Sequence, residues 1–126
     1  MCQSQELISS GIALLLKKKG FDFSTQDWYD ANGVLTHSEW NNHNKIEGRI
    51  AAPTFFEACD WLRQKGIHVC IDINLQNSAY LAKVYQQDEN TFEMQKIAEV
   101  TIWGYINALE WIIEYVLMNL YIKQYR

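Results

Sequence analysis

Gly66-Ile67-His68-Val69-Cys70-Ile71-Asp72-Ile73-Asn74-Leu75 alternates apolar and polar side chains. Val69, Ile71, Ile73 and Leu75 alternate with His68, Cys70, Asp72 and Asn74, which is the two-residue period of a half-buried strand. The residues just before it follow a different period. In Pro53-Thr54-Phe55-Phe56-Glu57, Thr54 and Glu57 have capping-box spacing, so each side chain can satisfy a free amide of a helical first turn. Phe55, Cys59 and Leu62 line one face of that helix, Trp61 flanks it, and Gly66 ends it. Beyond the strand, Gln76-Asn77-Ser78 turns the chain and Ala79 to Gln86 returns antiparallel. Asp88-Glu89-Asn90 offers a further turn. The expectation is an α+β fold, with an antiparallel sheet of three or more strands and helices packed mainly on one face.

Toward the N-terminus, a helix is predicted from Gln5 to Lys19, capped by Ser4, with Leu7, Ile8, Ile12, Leu15 and Leu16 as its apolar stripe. Gly20 supplies the left-handed residue that ends many helices, and Phe21 can fold back on the last turn. Lys17, Lys18 and Lys19 then lie where cations favour the helix dipole. Trp28-Tyr29-Asp30-Ala31-Asn32-Gly33-Val34-Leu35 reads as a hairpin, because Asn-Gly tolerates positive φ at both positions. Thr36 to Gly48 is dominated by polar residues and reads as an exposed loop.

Phe92 to Trp103 admits two readings, a third strand or the start of one long helix reaching Lys123. Val100-Thr101-Ile102-Trp103 is rich in β-formers and Gly104 disfavours a helix interior, so the last helix is placed from Gly104. On it, Asn107, Glu110 and Glu114 form one narrow polar face. Tyr105, Ala108, Leu109, Trp111, Ile112, Ile113, Tyr115, Val116 and Leu120 cover most of the remaining circumference. That arc is wider than one sheet hides, so self-association as a dimer is expected, with Trp111, Ile112 and Tyr115 as interface anchors.

The 126 residues, 48% of them hydrophobic, fit a single domain spanning 1–126. Five Trp, seven Tyr and five Phe supply one core and leave rings for a contact surface. A net charge of −4 argues against nucleic acid as the default partner. Cys2, Cys59 and Cys70 are odd in number and form no CxxC pair, which fits reduced thiols in a cytoplasmic protein. Met-Cys-Gln-Ser-Gln-Glu lacks the basic start of a signal peptide. The most apolar stretch, Ile102 to Ile122, carries Glu110 and Glu114 and is expected in a core or interface, with no membrane partner.

Three groups of residues are candidates for chemistry. His37, Glu39 and His43, with Glu47 nearby, are metal-ligand types, but their spacing matches no zinc signature. His68, Cys70 and Asp72 share one strand face, where residues two apart sit roughly 7 Å from one another along the strand, too far for a nucleophile–base hydrogen bond. Glu110 and Glu114 could act as an acid–base pair only inside a cleft. Six unclustered glycines form no phosphate-binding loop, and no cofactor is expected.

Ala52-Pro53-Thr54, Trp61-Leu62-Arg63 and Gly66-Ile67-His68-Val69 resemble a pattern in short uncharacterised proteins of gut anaerobic bacteria and their phages and mobile elements. The opening Gly11-Ile12-Ala13-Leu14-Leu15-Leu16-Lys17 before Gly20-Phe21 is similar to theirs, as are Tyr105, Ala108-Leu109-Glu110 and Tyr115-Val116-Leu117. The resemblance implies an extended segment before the closing helix and a mobile-element context, with no activity attached. The expected function is a small non-enzymatic binding or accessory protein, homodimeric through its C-terminal helix or bound to another protein. The alternatives are a metal-dependent protein or enzyme using the His37–His43 loop, and a nucleic-acid-binding accessory protein using Lys17 to Lys19.

Overall fold

Ser9, and not Ser4, starts the first helix. Its Oγ accepts the Ile12 N–H (3.3 Å), and α1 runs Ser10–Lys18. These coordinates come from a computed structural model that describes residues 6–74 and 79–120. The helix begins late because the chain before it is engaged elsewhere. Leu7 forms an antiparallel bridge with Thr54, Ile8 N–H donates to the Pro53 carbonyl (3.1 Å), and Phe55 N–H donates to the Glu6 carbonyl (3.0 Å). Ser4 and Gln5 lie outside the described residues. The far end follows expectation. Gly20 has φ 95°, Gly20 N–H donates to the Lys17 carbonyl and Phe21 N–H to the Leu16 carbonyl (3.0 Å), which seats Phe21 in the core.

The chain gathers into two compact units that divide inside the second helix, between Ala58 and Cys59. In the first, β1 (Thr25–Tyr29), β2 (Leu35–Asn41) and β3 (Ile50–Ala51) form an antiparallel sheet in the order β2-β1-β3. The β1–β2 turn is a hairpin of a different kind from the expected one. Only Gly33 takes positive φ (81°); its N–H donates to the Asp30 carbonyl (2.9 Å), while Asp30 Oδ1 accepts from the Asn32 and Val34 amides. This matches a longer loop closed by a left-handed glycine, and Asn32 contributes no positive φ.

The polar run at 36–48 is not an exposed loop. Its first part is β2, and a 3-10 turn follows at His43–Lys45, with His43 fully buried. The asparagines there act as staples. Asn42 Nδ2 donates to the Asp22 carbonyl (2.8 Å), and Asn44 Nδ2 to the Phe21 carbonyl (2.9 Å). Asn44 Oδ1 accepts the Ala51 amide (2.8 Å).

The second helix, α2 (Phe55–Gln64), opens on the expected capping box. Thr54 N–H donates to Glu57 Oε1 (2.9 Å) and Glu57 N–H to Thr54 Oγ1 (3.1 Å). Phe55, Ala58, Trp61 and Leu62 are buried, Cys59 is half-buried, and Gly66 follows at φ 82°.

In the second unit, β4 (Ile67–Asn74), β5 (Ala79–Gln87) and β6 (Met94–Ile102) form an antiparallel meander in that order. Val69 pairs with Val84 and Ile71 with Ala82, and Ala82 in turn pairs with Val100, so one sheet face is continuously apolar. The turn expected at 76–78, and Leu75, lie outside the described residues. Between β5 and β6, Asp88 Oδ1 accepts the Asn90 and Thr91 amides (2.7 and 3.0 Å), and those two N–H donors hold its carboxyl below the ordinary value. The segment before the last helix is extended, and α3 runs Tyr105–Asn119 behind Gly104 at φ 89°, so no continuous helix reaches back to Phe92. α3 packs on the sheet with Ala108, Leu109, Ile112, Ile113, Val116 and Leu117 buried. The fold is mixed α+β, built on two three-stranded antiparallel sheets.

Candidate functional site

The three histidine-loop candidates are not brought to one point. His37 and Glu39 lie on β2. His37 sits opposite Asp27 on β1; its Nδ1 donates to Asp27 Oδ1 (2.5 Å) and its Nε2 accepts from the Gln26 amide (3.2 Å). His43 is fully buried, and its Nε2 donates to the Glu39 backbone carbonyl (3.1 Å). Because a guanidinium can only donate, the 3.1 Å contact between Arg49 and His43 Nδ1 makes that nitrogen the acceptor. The one free lone pair of each imidazole, on His37 Nε2 and on His43 Nδ1, is therefore occupied by a hydrogen bond. Glu47 is exposed, and among the described residues no group of three His, Cys, Asp or Glu side chains has metal-holding geometry.

The structure reveals a cluster that the sequence pattern does not announce. The Arg49 guanidinium carbon lies 4.3 Å from the centroid of the Trp28 ring, and the Trp28 and His43 rings are 6.2 Å apart. Trp28 is fixed in turn by its Nε1–H, which donates to Ser38 Oγ (3.2 Å). Lys17 Nζ reaches from α1 to the Arg49 carbonyl (2.8 Å). A cation between an indole face and an imidazole edge is thus held from several sides, through residues 6 to 32 positions from Arg49 that no periodicity links.

On the second sheet, His68, Cys70 and Asp72 do share one face, the one away from the apolar Val69–Val84 pairs. Cys70 is exposed and lies opposite Lys83, whose Nζ is 3.3 Å from Asp72 Oδ2. Lys83 is thereby committed to the carboxylate. Cys59 differs: burial pushes its thiol up to about 11, with the Arg63 charge opposing that shift, so it stays protonated and a poor nucleophile.

The most prominent exposed apolar feature of α3 is aromatic. Asn107, Trp111, Glu114 and Met118 form its outward stripe; Trp111 keeps 40% and Met118 64% of its surface exposed. Tyr115, half-buried, stacks on Trp111 with centroids 5.5 Å apart. Ile112, expected as a third anchor, is fully buried, because α3 is rotated so that its wide apolar side meets the sheet. Trp111 and Met118 are exposed and Tyr115 is half-buried beside them. Spacing alone assigned Met118 to no face. Glu110 and Glu114 lie on the helix surface rather than in a cleft, Glu110 half-buried and Glu114 exposed.

No known protein family, curated protein or solved structure matches the chain. Among the described residues no helix is long and apolar enough to cross a membrane.

Proposed function

We propose that this chain is a non-enzymatic binding or accessory protein that self-associates as a homodimer through the outward face of α3. The observation that carries the reading is the Trp111–Tyr115 stack, extended one turn by Met118, on a helix whose Leu109, Ile112, Ile113, Val116 and Leu117 are buried. Large, pre-stacked rings lose little rotamer freedom on contact and dominate protein interfaces. Placement of the chain in the cytoplasm belongs to the same proposal and is supported by the free thiols Cys59 and Cys70.

Binding is favoured over catalysis by what the reactive side chains already do. His37 is held by Asp27 and Gln26, His43 by Arg49 and the Glu39 carbonyl, and Asp72 by Lys83. The test is the solution mass of the full chain and of its Trp111→Glu variant across protein concentration. A dimer lost in the variant supports the proposal, and a monomer at every concentration rejects it.

A further inference from the structure

A groove of about 450 Å³ opens on the first unit, lined by Leu14, Lys17, Lys18, Ala31, Arg49 and Ile50, with Gly48 completing the rim. Its volume falls within the range of small-molecule sites, about 300–1,000 Å³. Among the described residues its lining combines apolar side chains with three cations and contains no carboxylate. The chain as a whole carries a net charge of −4, so this local balance runs against the total.

No carboxylate among the described residues is ion-paired to those cations. Among the described residues the ion pairs are His37–Asp27, Arg63–Asp60, Lys83–Asp72 and Lys96–Glu99, and none includes Lys17, Lys18 or Arg49. Two of the three are also pre-positioned. Lys17 Nζ donates to the Arg49 carbonyl (2.8 Å), a neutral partner that leaves its charge and two N–H donors available. Arg49 is held against Trp28 and His43. Ordinary surface lysines are solvated and unconstrained; here the cations border an apolar floor made by Leu14, Ala31 and Ile50.

We propose that this groove binds a free amphiphilic anion, an acyl-chain carboxylate whose tail lies on Leu14, Ala31 and Ile50 and whose head group meets Lys17 and Lys18. The charge complementarity selects an anion, and the apolar lining selects one with a hydrocarbon tail over a bare phosphate or a nucleotide. A charge-assisted contact at the rim of a low-dielectric surface is the stronger kind of hydrogen bond, so head and tail each contribute to discrimination.

The experiment is calorimetric titration of the full chain with decanoate, below its micelle concentration, against decan-1-ol and against inorganic phosphate. Saturable binding of one decanoate per chain is expected, with decanol and phosphate each at least about tenfold weaker. Lys18→Glu, at an exposed position, should weaken decanoate by about tenfold, and Leu14→Asp should do the same from the tail side. Circular dichroism of both variants verifies the fold. Equal binding of decanol and decanoate, no effect of Lys18→Glu, or absence of decanoate binding would each overturn the proposal. So would binding to phosphatidylglycerol vesicles without binding of free decanoate, which would assign the groove to a membrane surface.

Discussion

Trp111 and Tyr115, one helical turn apart on α3, stack with their ring planes 9° from parallel and their centroids 5.5 Å apart. Neighbours at i and i+4 on a helix meet face to face only when both side chains take compatible rotamers, so each ring fixes the other. Trp111 is therefore presented as a rigid plate, which lowers the entropy lost when a second surface covers it.

The charges beside that plate set its salt dependence. Glu110 and Glu114 flank Trp111, and α3 contains no Lys or Arg. A two-fold interface centred on Trp111 brings the carboxylates of both copies into one patch, and salt screens that repulsion. Association should tighten from 50 to 500 mM sodium chloride, and Glu114→Gln should tighten it a few-fold at low salt, read by sedimentation. Weakening with salt would mean that opposite charges hold the contact.

Thr54 closes a reciprocal cap at the start of α2. Thr54→Ala should cost about 1 kcal/mol, and Thr54→Ser should recover most of it, because the hydroxyl and not the methyl caps the Glu57 amide. Thermal unfolding is the measurement, with a fall in Tm of about 4 °C for the alanine variant.

Arg49 links Trp28, His43 and, through its carbonyl, Lys17. Arg49→Met keeps the aliphatic stem but leaves the buried His43 Nδ1 without a donor, an expected loss of about 2 kcal/mol in urea unfolding. Arg49→Lys should recover less than half of that, since an ammonium cannot both stack on the indole and reach the imidazole with a planar fork.

The two described thiols should behave oppositely. Cys70 is exposed and should react with iodoacetamide at neutral pH, while Cys59, raised by burial to about 11, should be labelled only on unfolding; peptide mass mapping assigns the sites. The same shift has a sign in stability. Above the ordinary thiol value of 9.0 the unfolded chain releases the Cys59 proton first, so stability falls as pH rises from 9 toward 11. Because Cys59 is only half-buried, the effect should stay below about 2 kcal/mol, and Cys59→Ala should remove it.

Elements whose own pattern carries their burial were legible in sequence. The Thr54–Glu57 cap, the alternation through Val69, Ile71 and Ile73, and the break at Gly104 each appear where the spacing places them. β2 was illegible because it is an edge strand whose side chains are mostly exposed or half-exposed on both faces, so Thr36, Ser38 and Glu39 read as loop. His43 read as solvated because its partners, Arg49 and the Glu39 carbonyl, reach it only in the folded chain. At the candidate site, the excess apolar width of α3 was visible, but not its rotation. Burial of Ile112 and exposure of Trp111 follow from which stripe the sheet takes, and periodicity leaves that choice open when nearly every side is apolar.

Self-association through the outward face of α3 is read from light scattering on a size-exclusion column, loaded over a wide concentration range. The expected result is a mass rising to twice the 14.8 kDa of one chain, and a Trp111→Glu variant that stays at one chain mass with an unchanged circular dichroism spectrum. A wild-type chain that elutes at 14.8 kDa at every concentration, or a Trp111→Glu variant as dimeric as the parent, would contradict it.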